Sequence, residues 1–251
     1  VYTMRVLNGG NRALKPEETD VTYAGFTYAP TFLRGWSFGA DYWHYDQRNL
    51  IGTLGAQNML ANEATLAPGR ILRGPEPAPG TAGEVIQLND TFGNYNRYVT
   101  YGVDLEAAYR TRLGAHELTA NFTAVRLGSA RRSTLGFGDN EAVNAPSVAR
   151  WRANASFGWR RGAHDALVHL NHIGEQTGSA PSPTISGRIS AMTLVNVSYG
   201  FAGPADTQWR IGANNLFDTD PPRNYFSRTG FQNGYYDSLG RVWFVSVART
   251  F

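Results

Sequence analysis

Apolar and polar residues alternate one for one in nine stretches of this chain, a period of two that predicts strands and not helices. The stretches are Asp20–Ala29, Trp36–Arg48, Arg97–Arg110, Glu117–Leu127, Val148–Arg160, Asp165–Ile173, Ile189–Phe201, Thr207–Leu216 and Arg241–Phe251. Most are close to the ~9–11 residues that a tilted strand needs to cross a bilayer. Their two faces differ in chemistry. Trp151, Ala153, Ala155, Phe157 and Trp159 make one side apolar, while Arg150, Arg152, Asn154 and Ser156 make the other polar. Tyr101, Val103, Leu105, Ala107 and Tyr109 likewise oppose Thr100, Asp104, Glu106 and Arg110, and Trp36, Phe38, Ala40 and Tyr42 oppose Ser37, Gly39 and Asp41. The one weak helical candidate, Gln57–Leu66, sits inside a connection.

The connections alternate in length. Pro30–Gly35, Thr111–His116, Arg161–His164 and Ala202–Asp206 are tight, whereas 49–96, 128–147, 174–188 and 217–240 are long and rich in Gly, Pro, Asn and Ser. Short turns at one end and long loops at the other are the pattern of an all-β, antiparallel transmembrane β-barrel of the outer-membrane type. The apolar sets then face lipid, because a charge on that face at mid-membrane costs about 2–4 kcal/mol. Trp159, Trp209, Trp243, Tyr199 and Phe201 fall near strand ends, where interfacial girdles need aromatics. Arg249 lies on the lipid-facing side of the last strand, next to the periplasmic interface, where its guanidinium can snorkel to water. In this orientation Phe251 is periplasmic and the long loops are external.

Composition adjusts this picture without overturning it. The chain has 251 residues, 28 of them glycine and 12 proline, with 13% aromatics. Mean hydropathy is −0.36, and no apolar run approaches the ~18 residues of a membrane helix. A barrel tolerates that polarity because only every second residue meets lipid. Net charge is +3, Lys15 is the sole lysine, and no basic block suggests a nucleic-acid surface. With no cysteine, disulfides, thiolate metal sites and a cysteine nucleophile are excluded. A secreted barrel needs an address, and no signal peptide is visible, so an N-terminal part is expected to be missing.

One segment is more specific than the pattern. The strand from Trp209 ends in Asn215-Leu216-Phe217-Asp218, followed by Pro221-Pro222, which cannot continue a ladder. This segment resembles the penultimate strand of a TonB-dependent receptor. Asn11 to Glu18, Tyr28 to Trp43, Asn94 to Glu106 and the terminal Phe251 resemble further pieces of the same family in the same order. The resemblance implies that residues 1–251 are the C-terminal portion of a barrel of about 22 strands, with the N-terminal plug and first strands absent. It implies outer-membrane localisation, lipid contact, TonB coupling through a plug domain outside the chain, and no enzymatic activity or cofactor. Its cargo would be a scarce nutrient, a ferric siderophore foremost. Strands hidden in 49–96 or in Val1–Leu7 would change the strand count. A passive porin-like or adhesin barrel, and a soluble β protein, are the alternative readings.

Candidate chemistry is sparse. His169 and His172 project to opposite faces of a strand and cannot share a metal without distortion. Asp139-Asn140-Glu141 and Asp218-Thr219-Asp220 lack the spacing of a calcium loop. Ser179, Ser182, Ser186 and Ser190 carry no nucleophile motif, and Asp218 is expected to accept backbone N–H bonds where the strand turns away. In such receptors external loops capture the ligand. That implication selects Tyr95, Tyr98, Arg223, Phe226, Arg228, Phe231, Tyr235 and Tyr236, aromatics and arginines suited to an anionic chelate. Arg70, Arg73, Arg131 and Arg132 add positive charge there.

Overall fold

The computed structural model describes residues 4–180 and 182–249. Its first strands are β1 Arg5–Leu7, β2 Glu18–Tyr28 and β3 Trp36–Gly52, followed by the short helices α1 Ala56–Ala61 and α2 Glu63–Leu66. Then come β4 Ile71–Arg73, β5 Val85–Asn89, β6 Gly93–Leu113, β7 His116–Thr134 and β8 Gly138–Glu141. The chain continues through β9 Trp151–Arg161, β10 His164–Ile173, β11 Gln176–Thr177, β12 Arg188–Ile189, β13 Met192–Ala202, β14 Thr207–Asn214 and β15 Val242–Arg249. Ten strands make one sheet in the order β15-β14-β13-β10-β9-β7-β6-β3-β2, with β8 paired to β7. Long strands that follow one another in the chain lie side by side, the arrangement that short turns impose.

Each alternating stretch coincides with a strand of this sheet, with shifted ends. Nine strands make the path of this sheet, and six short ones, β1, β4, β5, β8, β11 and β12, occur besides them among the described residues. β7 runs on to Thr134 because β8 folds back on it, pairing Arg131 with Glu141 and Thr134 with Gly138. β1, β4 and β5 arise in the segments held in reserve as hidden strands, yet they form a separate three-stranded sheet. Gln57–Leu66 becomes α1 and α2. Phe251, which closed the expected last strand, and Val1 lie outside the described residues.

Register turns the alternation into rows. Residues directly opposite one another share a face, and Ala120, Phe157, Val168, Val197, Ala213 and Trp243 stand in line across β7, β9, β10, β13, β14 and β15. One row further, Leu118, Trp159, Ala166, Tyr199, Ile211 and Val245 are again wholly apolar. The next row beyond belongs to the other face: Glu117, Arg160, Asp165, Gly200, Arg210 and Ser246. Arg210 Nη2 meets Asp165 Oδ2 at 3.0 Å across the strand that carries Gly200. A Cβ there would sit 2.3 Å from Asp165 Oδ1 and push that carboxylate out of its present place. Large apolar side chains point outward from the first face; Phe157 is 54% exposed and Val245 70%. Water does not suit such a surface, and lipid does.

The chain divides into two compact units, described separately. One contains the segments up to Thr22, His44–Thr100 and Ser129–Ala142; the other contains Tyr23–Trp43, Tyr101–Gly128 and everything from Val143 onward. In the first unit Leu54, Met59, Ala67 and Leu88 form a small core under α1 and the β1-β5-β4 sheet. The buried Asp90 carboxylate accepts hydrogen bonds from the Leu54 and Gly55 amides, both at 3.0 Å. In the second unit Ala149, Ile173, Ile189, Met192 and Tyr236 form a core among the connections that leave the strands.

Candidate functional site

The end of β14 is built as a latch. Asn215 and Asp218 both adopt left-handed backbone, with φ of 51° and 57°, a conformation that asparagine and aspartate tolerate better than other residues with a Cβ. The Asn215 side chain is clamped to one peptide pair: its Oδ1 accepts from the Thr219 amide at 2.8 Å and its Nδ2 donates to the Thr219 carbonyl at 3.0 Å. Asp218 Oδ1 accepts from the Arg241 amide at 2.7 Å, just before β15 begins. The expected backbone-capping role of Asp218 is thus observed. The motif ties the base of the long segment 217–240.

Within that segment the predicted contact residues separate. Tyr236 is 5% exposed in the core of the second unit, and Phe231 and Tyr235 pack against that core. Gln176 Nε2 donates to the Tyr236 hydroxyl at 2.5 Å, and Arg152 lies 5.4 Å from the Tyr235 ring centroid. Burial pushes the Tyr236 phenol above its ordinary pKa, with the neighbouring Tyr235 adding to the rise. These three aromatics shape the loop, whereas Arg223, Phe226 and Arg228 are exposed on it. Phe226 lines a cleft of about 600 Å³ with Pro146, Ser179, Asn224, Ser227 and Gln232. The buried Asn224 sets its wall, with its Oδ1 accepting from the Phe226 amide and its Nδ2 donating to Gln232 Oε1. Among the described residues no carboxylate pairs with Arg223 or Arg228, and Arg223 lies 5.8 Å from the Tyr225 ring centroid.

If Tyr236 is the keystone of this loop, Tyr236→Ala leaves a cavity and an unpaired Gln176 amide. A cost of about 3–5 kcal/mol to local order is expected for removing a buried aromatic. Limited proteolysis should then nick 217–240 while the strands stay intact, and Tyr236→Phe, which fills the cavity but still leaves the Gln176 amide unpaired, should fall between parent and Tyr236→Ala. An unchanged cleavage pattern in Tyr236→Ala would remove the keystone role.

In the first unit, Tyr95, expected in the long connection 49–96, instead lies on β6 near its start at Gly93, and Tyr98 lies on the same strand, as its place in the stretch Arg97–Arg110 predicts. Tyr95 is engaged: its hydroxyl accepts from Arg70 Nη1 at 2.6 Å, while Arg70 also donates to the Thr91 and Asn89 carbonyls. Arg73 is likewise committed, bridging Glu63 at 2.6 Å and holding that carboxyl below the usual carboxylate range. Sequence reasoning missed a cluster beside them. Asp46, 6% exposed, takes Arg97 through both oxygens at 2.8 Å and Arg48 Nε at 3.0 Å. Arg48, Arg97, Tyr95, Asn49, Asn94 and Asn96 border a cleft of about 680 Å³. Only tertiary pairing brings β3 and β6 together, so no local spacing announces it.

The remaining candidates are structural. Asp139 and Glu141 lie on β8, not in a loop, and accept from Ser133 Oγ and Ser129 Oγ at 2.5 Å each. His169 stands opposite Ser156 and Asn196 on the polar face. His172 Nδ1 is 2.8 Å from Thr193 Oγ1.

A meander of long antiparallel strands with one apolar face, one charged face and extended connections at one set of ends defines the wall of an outer-membrane β-barrel. The family model described as TonB dependent receptor-like, beta-barrel matches residues 2–216, and the chain belongs to that family. Membership places it in the bacterial outer membrane, in a family of receptors and not of enzymes. Among solved structures it is similar to a mutant ferric enterobactin receptor from Pseudomonas aeruginosa in complex with enterobactin, at TM-score 0.59 and 17% identity. That match covers 96% of this chain and 32% of the receptor. The siderophore receptor PirA from Acinetobacter baumannii matches at TM-score 0.58 and 16% identity, covering 96% of this chain and 32% of that one. The FrpB iron transporter from Neisseria meningitidis matches at 0.58 and 13%, with 96% and 31% covered. The chain therefore spans about a third of the length of these structures. No curated protein matches it.

Proposed function

We propose that this chain supplies barrel wall and external loops to a receptor that takes up a ferric siderophore with TonB-coupled energy. The segment corresponds to the C-terminal portion of a barrel of roughly 22 strands, and coupling to TonB runs through a plug domain outside this chain. The family match along 2–216 carries the reading. The similarity to two siderophore receptors and an iron transporter supports the cargo class. Within the second unit, Arg223, Phe226 and Arg228 are the residues proposed to meet cargo, since cation and ring together suit an anionic, aromatic chelate. Tyr95, on the first unit's cleft, and Tyr98, on the same strand, remain proposed contacts. Phe231, Tyr235 and Tyr236 contribute by holding the loop.

The test is ligand binding by the full receptor, read by intrinsic fluorescence with ferric catecholate, ferric hydroxamate and cobalamin as probes. Arg223→Ala with Arg228→Ala is expected to weaken the ferric chelate that binds by about 10-fold, as loss of two partly solvated charge contacts implies. Cobalamin binding with no response to either ferric chelate would overturn the cargo class. Unchanged affinity of the double variant would overturn the loop assignment.

A further inference from the structure

The apolar face carries a feature that a bare lipid-facing wall does not need. Across β7, β9, β10, β13, β14 and β15 this face has no carboxylate, yet its tight-turn end bears Arg161, His164 and Arg249. His164 stands opposite both Arg161 and Phe201, and Phe201 stands opposite Trp209. Arg249 stands opposite Thr207, two positions beyond the pair of Trp209 and Val247. Between these side chains Tyr199, Phe201, Trp209, Arg210, Ile211 and Val245 line a groove of about 170 Å³. Its rim is arranged: His164 Nδ1 lies 2.5 Å from the Tyr199 hydroxyl, and Trp209 Nε1 donates to Thr207 Oγ1 at 3.2 Å. Among the described residues neither Arg161 nor His164 has a carboxylate partner.

From this juxtaposition we infer that the groove is a binding site for an anionic phospholipid of the periplasmic leaflet. An acyl chain lies along Tyr199, Trp209, Ile211 and Val245. The phosphate sits against Arg161 and His164, with Arg249 on the opposite flank. Strands are about 4.8 Å apart, so Arg161 is roughly 10 Å from Phe201, within the combined reach of its own side chain and a headgroup. Charge selects the occupant. A face with cations and no acids favours an anionic headgroup over a zwitterionic one, and the tight-turn end selects the leaflet that holds phospholipid. The inference rests on the outer-membrane reading of the sheet.

The experiment uses the full receptor, delipidated in detergent, with native mass spectrometry of the first lipid bound. Phosphatidylglycerol and phosphatidylcholine of identical acyl chains are the probes. The parent is expected to bind phosphatidylglycerol at least about fivefold more tightly, the factor one basic side chain gives near a membrane surface. Arg161→Gln with His164→Gln should abolish that preference and keep phosphatidylcholine binding. Trp209→Ala should weaken both lipids. Arg126→Gln, on the same face at the other strand end, should leave the preference intact. Equal binding of the two lipids by the folded parent, or equal loss of preference in Arg126→Gln, overturns the site. Phosphatidylglycerol preference that survives the double substitution does the same. Each variant is first checked for the heat-modifiable band of a folded barrel. If the parent itself lacks that band in every detergent and lipid, the outer-membrane reading fails, and this inference with it.

Discussion

Phe157→Arg is expected to destabilise the inserted barrel by about 2–4 kcal/mol, the cost of arginine on a lipid face near mid-membrane. Phe157 lies close to the middle of β9 in the row Ala120, Phe157, Val168, Val197, Ala213 and Trp243. No polar group on that row can receive a guanidinium, and mid-strand is the place least able to snorkel. Ser156→Arg, one residue away, places the same group opposite His169 and Asn121, where water and polar partners are at hand. Its cost should stay within about 0.5 kcal/mol, as for most exposed substitutions. Urea unfolding of the full receptor in detergent, followed by the loss of the heat-modifiable band, separates the two. Equal midpoints for both variants would mean that the two faces do not meet different solvents, and the assignment of this sheet would fail.

That contrast also explains what the sequence could disclose. Side chains at odd positions from Trp151 to Trp159 and at even ones from Arg150 to Ser156 answer to different solvents, so selection on each face writes a period of two that needs no tertiary knowledge. The Asn215–Asp218 latch was legible for a similar reason, because both residue types suit left-handed backbone and the hydrogen bonds are mostly local. The connections were not. β1 pairs in parallel with β5, Arg5 opposite Gln87, and nothing around either strand specifies the other. Leu88 and Met59 read as ordinary loop residues until α1 and the small sheet enclose them. The ion cluster at Asp46 depends on β3 lying beside β6 and has no spacing signature. One signal for the covered strand ends is present in the sequence. Ile173 and Met192 break the polar face opposite Arg152, at the strand ends that lead into long connections. Apolar residues on a charged face imply that something covers them, and Tyr236 does. Counting that break would have moved Tyr236 from ligand contact to loop core.

The latch itself gives the second large effect. Asn215→Ala removes both hydrogen bonds to Thr219 while leaving that peptide's N–H and C=O in place. Each bond contributes about 0.5–1.5 kcal/mol, and an unsatisfied buried partner raises the loss. Alanine must also hold φ near 51°, which costs about 1–2 kcal/mol for a residue with a Cβ. A total of about 2–5 kcal/mol is expected. Asn215→Gly separates the two contributions, because glycine accepts the backbone and loses only the amide clamp. It should recover roughly 1 kcal/mol relative to alanine. Asp218→Asn keeps an oxygen for the Arg241 amide and should be mild, whereas Asp218→Ala frees the start of β15. Hydrogen exchange at Thr219 and Arg241 reads these changes directly: Asn215→Ala should expose Thr219, and Asp218→Ala should expose Arg241. If Asn215→Gly proves as damaging as Asn215→Ala, backbone strain contributes little and the side-chain clamp accounts for the whole effect. If neither substitution moves the exchange of Thr219, the latch is not what closes the loop. The base of segment 217–240 would then have to be held by its core around Tyr236 alone, which the proteolysis of Tyr236→Ala would show as complete release of the loop.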